Sequence, residues 1–237
     1  MSIKDITGLS EQLVWYAGYG SNLNADRLAC YIEGGRPNGS KRTYEGCADT
    51  RPPRATMAVE LPYELYFAGE SPVWGGGFAL IDDVHGAPST KSRASLITLD
   101  QFEQIAMQES RRSSVKPIHI ETLRLNGRQL LGDASYDLVL YCGDCQNVPV
   151  LTLTRPSPLR PYAKPSLNYL RTIIAGLQQT HAMTPGEIRD YLITKPGITN
   201  EYTDDQLDAL LGLSLSSQRR NTRKQPTLKD AQMTGAI

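Results

Sequence analysis

The sequence has few cysteines, no excess of either charge and no long apolar run. It contains 4 cysteines in 237 residues, and its 25 basic residues equal its 25 acidic residues. So few cysteines argue against a secreted disulfide scaffold and favour reduced thiols. A balanced charge provides no general field to attract nucleic acid or an anionic membrane, and no stretch approaches the roughly 20 apolar residues of a membrane span. We therefore expect a cytoplasmic protein that binds a small molecule and has neither nucleic-acid nor membrane partners; its oligomeric state is not indicated.

Metal-ligating residues are equally scarce. Cys142 and Cys145 have the C-x-x-C spacing of zinc and redox sites, but a second ligand pair is missing and the 3 histidines show no ligand spacing. We interpret the cysteine pair as incidental and expect no metal.

Short apolar runs separated by turn residues predict an α+β fold, with a small mixed, curled sheet or β-barrel and flanking helices. Strands are predicted at 13–17, 64–68, 73–81, 94–97, 118–125, 136–141 and 148–153. Helices are predicted at 23–32, 99–108 or beyond, 167–179, 185–192 and 204–211. We expect a single domain over residues 13–211, with a long irregular excursion at 33–57 and a basic, flexible tail at 214–237. Such a tail is usually only solvated, although binding to nucleic acid or a membrane is the alternative.

Three of the predicted helices begin with a capping box, in which a threonine is followed three residues later by glutamine or glutamate. The pairs are Thr98 with Gln101, Thr184 with Glu187, and Thr203 with Gln206.

One carboxylate lies on the apolar face of the helix that follows Thr98. At about 100° per residue the apolar side chains of this helix fall on one arc, and Glu109 lies near the middle of it. An ionised carboxylate on a buried face must be paired, protonated or placed at the wall of a cavity. A helix that ended at Gln108 would instead leave Glu109 to solvent or to an ion pair with Arg111 or Arg112, and both interpretations stay open. The apolar residues on the arc are Leu99, Phe102, Ile105 and Ala106.

The segment Tyr19-Gly20-Ser21-Asn22-Leu23 links the first predicted strand to the first predicted helix. Its glycine lets the backbone approach a ligand closely, and the free N–H groups of a helix N-terminus attract negative charge. The turn therefore suits an anionic group of a ligand. The same residues also form ordinary turns, so the local sequence does not decide between the two.

Three motifs, in the same order along the chain, resemble the gamma-glutamyl cyclotransferase family. In that family the N-terminal strand ends in Y-G-S-N-L, as at 19–23 here. A V-W-G strand and a helix ending in a Q-E pair follow, resembling 73–75 and 108–109. A later P-S-x-x-Y segment, resembling 165–169, opens a helix that contains a glycine, here Gly176. The resemblance spans residues 15–192, and three separated motifs are far more specific than any one of them.

The resemblance implies an enzyme that closes a gamma-glutamyl group into 5-oxoproline and releases an amine or amino acid, without cofactor or metal. It implies that Glu109 is the general acid/base and that Tyr169 and the 19–23 turn contact the substrate. Tyr169 also has the helical spacing of a core residue, and a non-catalytic member of the family that binds a ligand or protein is the alternative. Ser110 replaces a glycine that is common in the family, and residues 111–118 lack an aromatic, so the leaving group is left open.

Overall fold

The computed structural model describes residues 11–213 except 39, 41, 85, 87, 88 and 133. The predicted basic tail therefore lies outside the described residues. The strands are β1 (Leu13–Gly18), β2 (Thr56–Leu61), β3 (Leu65–Ala68), β4 (Phe78–Ile81), β5 (Thr90–Thr98), β6 (Arg128–Leu130), β7 (Leu138–Cys145) and β8 (Val148–Thr154). The helices are α1 (Ala25–Ile32), α2 (Leu99–Ser110), α3 (Ile120–Asn126), α4 (Leu167–His181), α5 (Pro185–Ile193) and α6 (Asp204–Leu211), and a short 3-10 turn (Ser21–Leu23) precedes α1.

Six strands form one mixed sheet in the order β2-β5-β1-β8-β7-β6, and β3 pairs with β4 in a separate two-stranded sheet. β1 lies in the middle of the large sheet, antiparallel to β5 and parallel to β8. The predicted α+β class with a mixed sheet is confirmed.

Alternate residues of β1 belong to two different hydrophobic cores, because successive side chains of a strand point to opposite faces of its sheet. Trp15 and Ala17 lie in one core with α4, α5 and α6, whereas Val14 and Tyr16 lie in the other with α1, α2 and α3. The carboxyl end of β1 leads directly into the 3-10 turn and α1. These elements meet at the candidate site.

The three predicted capping boxes are present, each with both of its reciprocal hydrogen bonds. The helix that carries Glu109 continues to Ser110 and ends at Arg111, whose φ of 56° is left-handed. Glu109 therefore lies in the last turn of α2, which rejects the interpretation that ended the helix at Gln108.

Some predicted strands were wrong. Residues 120–126 form helix α3 in place of most of the strand expected at 118–125, and only the last four residues of the strand expected at 73–81 are extended, as β4. Gly75 and Gly76 interrupt that segment with φ angles of 76° and 66°, so V-W-G lies in a turn. Strand β2, at the end of the sheet order, was not predicted; it begins in the last two residues of the region expected to be irregular.

Among the described residues, no helix has the length and apolar character needed to cross a membrane.

Candidate functional site

A cavity of about 310 Å³ opens where β1, the 3-10 turn and the helices α1, α2 and α4 meet. Its wall combines charged side chains with a large aromatic surface, as ligand pockets often do. The charged residues in the wall are Arg27, Arg42, Glu70, Glu109 and Arg111, and the aromatic ones are Tyr16, Tyr19, Tyr31, Tyr44, Trp74, Phe78, Tyr136 and Tyr169.

Glu109 and Asn22, which are 87 positions apart in the sequence, are in direct contact in the cavity wall. The Asn22 Nδ2 atom donates to Glu109 Oε1 at 2.8 Å and to the Tyr16 hydroxyl at 2.9 Å. Asn22 is buried, whereas Glu109 is partly exposed. The donated hydrogen bond fixes the position of one carboxylate oxygen of Glu109.

The Oδ1 atom of Asn22 is buried and has no hydrogen-bond partner in the described part of the chain. A buried acceptor without a partner is costly, so a donor that reached it would be favoured. A ligand donor in the cavity, such as an amine, would satisfy Asn22 Oδ1 next to the Glu109 carboxylate.

Tyr169 reaches the turn from α4. Its hydroxyl accepts a hydrogen bond from the Ala79 N–H at 3.1 Å. Burial is the main cause that raises the pKa of Tyr169 to about 12, so the hydroxyl keeps its proton at neutral pH. Because the oxygen is occupied as an acceptor, the O–H is left to donate to a ligand.

Close packing fixes the relation between the turn and α4. A Cβ atom on Gly20 would lie 2.9 Å from the Tyr169 hydroxyl, and one on Gly176 would lie 2.6 Å from the Leu23 carbonyl carbon. Both glycines therefore permit an approach that a larger residue would prevent. The predicted role of Gly20, a close approach of the backbone to a ligand, stays a prediction.

The turn residues predicted to bind a ligand do not all face the cavity. Gly20, Ser21 and Asn22 line it together with Tyr19, whereas Leu23 is buried in the core and is not among the described lining residues. The Leu23 N–H donates to Gly20 O at 3.1 Å, and the Tyr19 hydroxyl donates to Leu153 O at 2.8 Å. The Leu23 N–H and the Tyr19 hydroxyl therefore already donate to carbonyl groups of the protein and not to a ligand.

Arg27 is a site residue that the sequence interpretation missed. It lies on α1, is 3% exposed and donates through Nη2 to the hydroxyls of Tyr31 and Tyr44, at 2.7 Å each. The negative charge of Glu109 interacts with this cluster, because it is one of the causes that raise the pKa values of Arg27 and Tyr31. A signal was present in the sequence, because Arg27 and Tyr31 are spaced i, i+4 and so share a helix face.

The cysteine pair lies on β7, away from the cavity. A bulge between Tyr141 and Asp144 places both Cys142 and Cys145 against the same hydrophobic core, and burial raises the pKa of Cys142 to about 12. Within the described residues there is no group of three or more histidine, cysteine, aspartate or glutamate side chains that would hold a metal ion.

No family model matches the sequence. Histone deacetylase 5 from Arabidopsis thaliana is 32% identical over 214 residues, an alignment that covers 77% of this chain and 31% of that protein. The chain thus spans less than a third of the length of this curated relative.

Three solved structures are similar to the fold at low sequence identity. A gamma-glutamyl cyclotransferase has a TM-score of 0.44 at 14% identity, over 84% of this chain and 98% of that one. An uncharacterised protein from Homo sapiens has a TM-score of 0.45 at 14% identity, over 84% and 99% of the two chains. YkqA from Bacillus subtilis has a TM-score of 0.44 at 12% identity, over 79% and 56%. Similarities this distant assign no function.

Proposed function

We propose that this chain is a gamma-glutamyl cyclotransferase-type enzyme, which closes a gamma-glutamyl group into 5-oxoproline and releases the attached amine or amino acid. The observation that carries the proposal is the contact between Glu109 and Asn22 in one cavity with Tyr169. These residues belong to three separate motifs of the resemblance, and the fold places all three around one space.

In the proposed reaction the α-amine of the gamma-glutamyl group attacks its own γ-carbonyl carbon. A new C–N bond closes the five-membered lactam, and the bond from that carbon to the leaving nitrogen breaks. Glu109 takes a proton from the attacking nitrogen and returns it to the leaving nitrogen. Because nucleophile and electrophile belong to one molecule, the protein mainly holds the folded conformer and moves protons.

Asn22 supports this role in two ways. Its Nδ2 atom holds the Glu109 carboxylate at 2.8 Å, and its unpartnered Oδ1 would accept from the substrate amine. The amine would then lie between two acceptors, close to the base that deprotonates it.

The turn and Tyr169 would bind the carbonyl end of the substrate. Backbone N–H groups of Gly20, Ser21 and Asn22 are proposed to stabilise the developing oxyanion or a substrate carboxylate, and Tyr169 would donate through its O–H. The proposal involves no metal or cofactor, since the acid/base and the hydrogen-bond donors are side chains and backbone groups. A cytoplasmic location remains the sequence-based expectation.

The test is to incubate the protein with gamma-glutamyl amino acids and gamma-glutamyl amines and to quantify 5-oxoproline. Glu109→Gln keeps the shape of the side chain but removes the base, so we expect kcat to fall on the order of 10² to 10⁴ while the protein stays folded. Glu103→Gln is the matched control, because Glu103 lies on the same helix and accepts from the Ile118 N–H at 2.7 Å outside the cavity.

An unchanged kcat in Glu109→Gln would reject the mechanism. Binding of the substrates without release of 5-oxoproline would instead favour the alternative, a protein of this fold that only binds its ligand.

A further inference from the structure

The guanidinium of Arg27 has spare donors inside the cavity wall. Its Nη2 atom donates to the two tyrosine hydroxyls, whereas Nε and Nη1 are buried and lack a partner in the described part of the chain. Arginine stays charged in proteins and carries five N–H donors. A buried cation with unused donors is costly, and it is the group that a ligand anion would satisfy.

The two tyrosines position this guanidinium and leave its charge uncompensated. Arg27 lies over the rings of Tyr31 and Tyr44, with its Cζ atom 4.1 Å and 4.3 Å from their centroids. Burial by itself lowers the pKa of Arg27, but Tyr31, Tyr44 and Glu109 more than offset that effect, and the net shift is upward. Both hydrogen-bond partners are tyrosine hydroxyls rather than carboxylates, so positive charge remains at this end of the cavity.

A second cation lies beside the first. The guanidinium carbon of Arg42 is 4.8 Å from the Tyr44 ring centroid, and Arg42 also lines the cavity. None of the ion pairs within the described residues joins Arg27 or Arg42 to Glu109. The cations and the carboxylate therefore face the same space without neutralising one another by contact.

We propose that Arg27 binds a carboxylate of the ligand and is a specificity-determining residue of this site. The inference rests on the proposed function, in which the ligand is a gamma-glutamyl compound. Such a compound carries an α-carboxylate on its glutamyl part and, when the released group is an amino acid, a second carboxylate there. Either one satisfies Nε and Nη1 of Arg27 while the amine faces Glu109 and Asn22.

Three related probes separate the two sources of the carboxylate. Gamma-glutamyl-alanine carries both carboxylates, gamma-glutamyl-ethylamine lacks the one on the leaving group, and 4-aminobutyryl-alanine lacks the one on the glutamyl part. Dissociation constants are measured calorimetrically with the Glu109→Gln protein, so that no probe is consumed. Release of the lactam by wild-type protein is measured separately.

We expect one of the two truncated probes to bind roughly 10- to 100-fold more weakly than gamma-glutamyl-alanine, as is usual for the loss of a charge-assisted hydrogen bond. In Arg27→Met this ratio should fall to about one, and Arg27→Lys should retain part of it because the charge is kept without the planar fork. Arg93→Met is the matched control: Arg93 lies on β5, donates to Thr180 and Thr56, and is not among the described lining residues.

Equal binding of all three probes, or no binding of any probe, would overturn the proposal. A folded Arg27→Met protein in which the truncated probe still binds more weakly than gamma-glutamyl-alanine by the same factor would also overturn it. If Arg27→Met fails to fold, the proposal is tested by the relative dissociation constants of the probes in the protein that keeps Arg27 and in Arg27→Lys. Release of 5-oxoproline without a carboxylate preference would reject the role of Arg27 alone. A preference that depends on Arg27 without any release would reject the proposed reaction alone.

Discussion

At the scale of single residues, Tyr169 illustrates how a buried hydroxyl is prepared for a ligand. Its oxygen accepts the backbone N–H of Ala79 in β4 at 3.1 Å. The ring packs against Phe67 and Trp74, with centroid distances of 6.3 Å and 5.7 Å. The hydroxyl is thus held in place by groups that leave its proton free to donate.

We predict that Tyr169→Phe raises KM about 10-fold and lowers the free energy of unfolding by about 1 kcal/mol, the usual worth of one hydrogen bond. Tyr202→Phe is the matched control, because the Tyr202 hydroxyl donates to Pro165 O at 2.6 Å and Tyr202 is not among the described lining residues. It should lose similar stability in denaturant unfolding and keep its steady-state kinetics. Unaltered KM and kcat in Tyr169→Phe would remove the hydroxyl from the proposed substrate contacts.

The sequence predicted the positions of site residues better than their partners. Glu109 followed from helical periodicity, because the apolar arc of α2 continues to it. Its contact with Asn22 joins residues 87 positions apart and depends on how α2 packs beside the turn, which local patterns do not encode. Arg27 was missed because a cation on a helix is usually solvated, and only the neighbouring Tyr31 and Tyr44 make its burial possible.

At the scale of secondary-structure elements, the site depends on how closely α4 approaches the 3-10 turn. Gly176 is buried in the middle of α4, at the point where the helix crosses the turn. A Cβ atom there would lie 2.6 Å from the Leu23 carbonyl carbon and 2.7 Å from the Asn24 nitrogen. Both are backbone atoms, so no side-chain rotation relieves the contact.

We predict that Gly176→Ala destabilises the protein by about 1 to 3 kcal/mol, as overpacking of a core does. Because relief requires the turn to move, substrate KM should rise as well. Gly186→Ala is the matched control on α5, since a Cβ there meets nothing within 4 Å and φ is not left-handed. It should be neutral or stabilising by up to about 1 kcal/mol, as alanine usually is in a helix. Equal unfolding midpoints for the two variants would contradict this account of the contact.

Helices and strands were predicted correctly where a local signal such as a capping residue identifies them, and wrongly where the apolar pattern fits both a helix and a strand. Threonine caps defined the starts of α2, α5 and α6 because they satisfy free backbone N–H groups of the first turn. In residues 118–125, apolar residues at 118, 120, 123 and 125 fit a strand and a short helix almost equally. Leu125 is 85% exposed, whereas Ile120 and Leu123 are buried at the i, i+3 spacing of α3.

At the scale of the whole molecule, tyrosines connect the cavity to the two cores. Several of the chain's 12 tyrosines, four of them buried and Tyr136 half-buried, lie around or beneath the cavity. Burial is the main cause that raises the pKa of each of them above its ordinary value of 10.0, and for most of them the Glu109 carboxylate adds to the shift. These residues are Tyr16, Tyr19, Tyr31, Tyr136 and Tyr169.

This arrangement predicts a loss of stability at alkaline pH. Below about pH 10 the tyrosines are protonated in both the folded and the unfolded chain, so their contribution to stability is fully present. Above that pH the unfolded chain releases protons that the folded protein retains, up to about pH 12 for Tyr169. Each such residue should then lower the free energy of unfolding by on the order of 1 kcal/mol per pH unit.

Urea unfolding at a series of pH values between about 8 and 11 would measure this slope, with tyrosinate absorbance following ionisation. Tyr136→Phe removes one of these hydroxyls, which donates to Ala79 O at 2.6 Å. The free energy of unfolding of this variant should therefore fall less steeply as the pH rises. Tyr162→Phe is the control, because Tyr162 is 40% exposed and its removal takes away no buried hydroxyl. If tyrosinate forms while the protein stays folded, or if both variants show the same slope, the buried hydroxyls do not set the alkaline limit. A slope that changes only in Tyr136→Phe would link stability at high pH to the hydroxyls around the cavity, because Tyr136 lies in its wall.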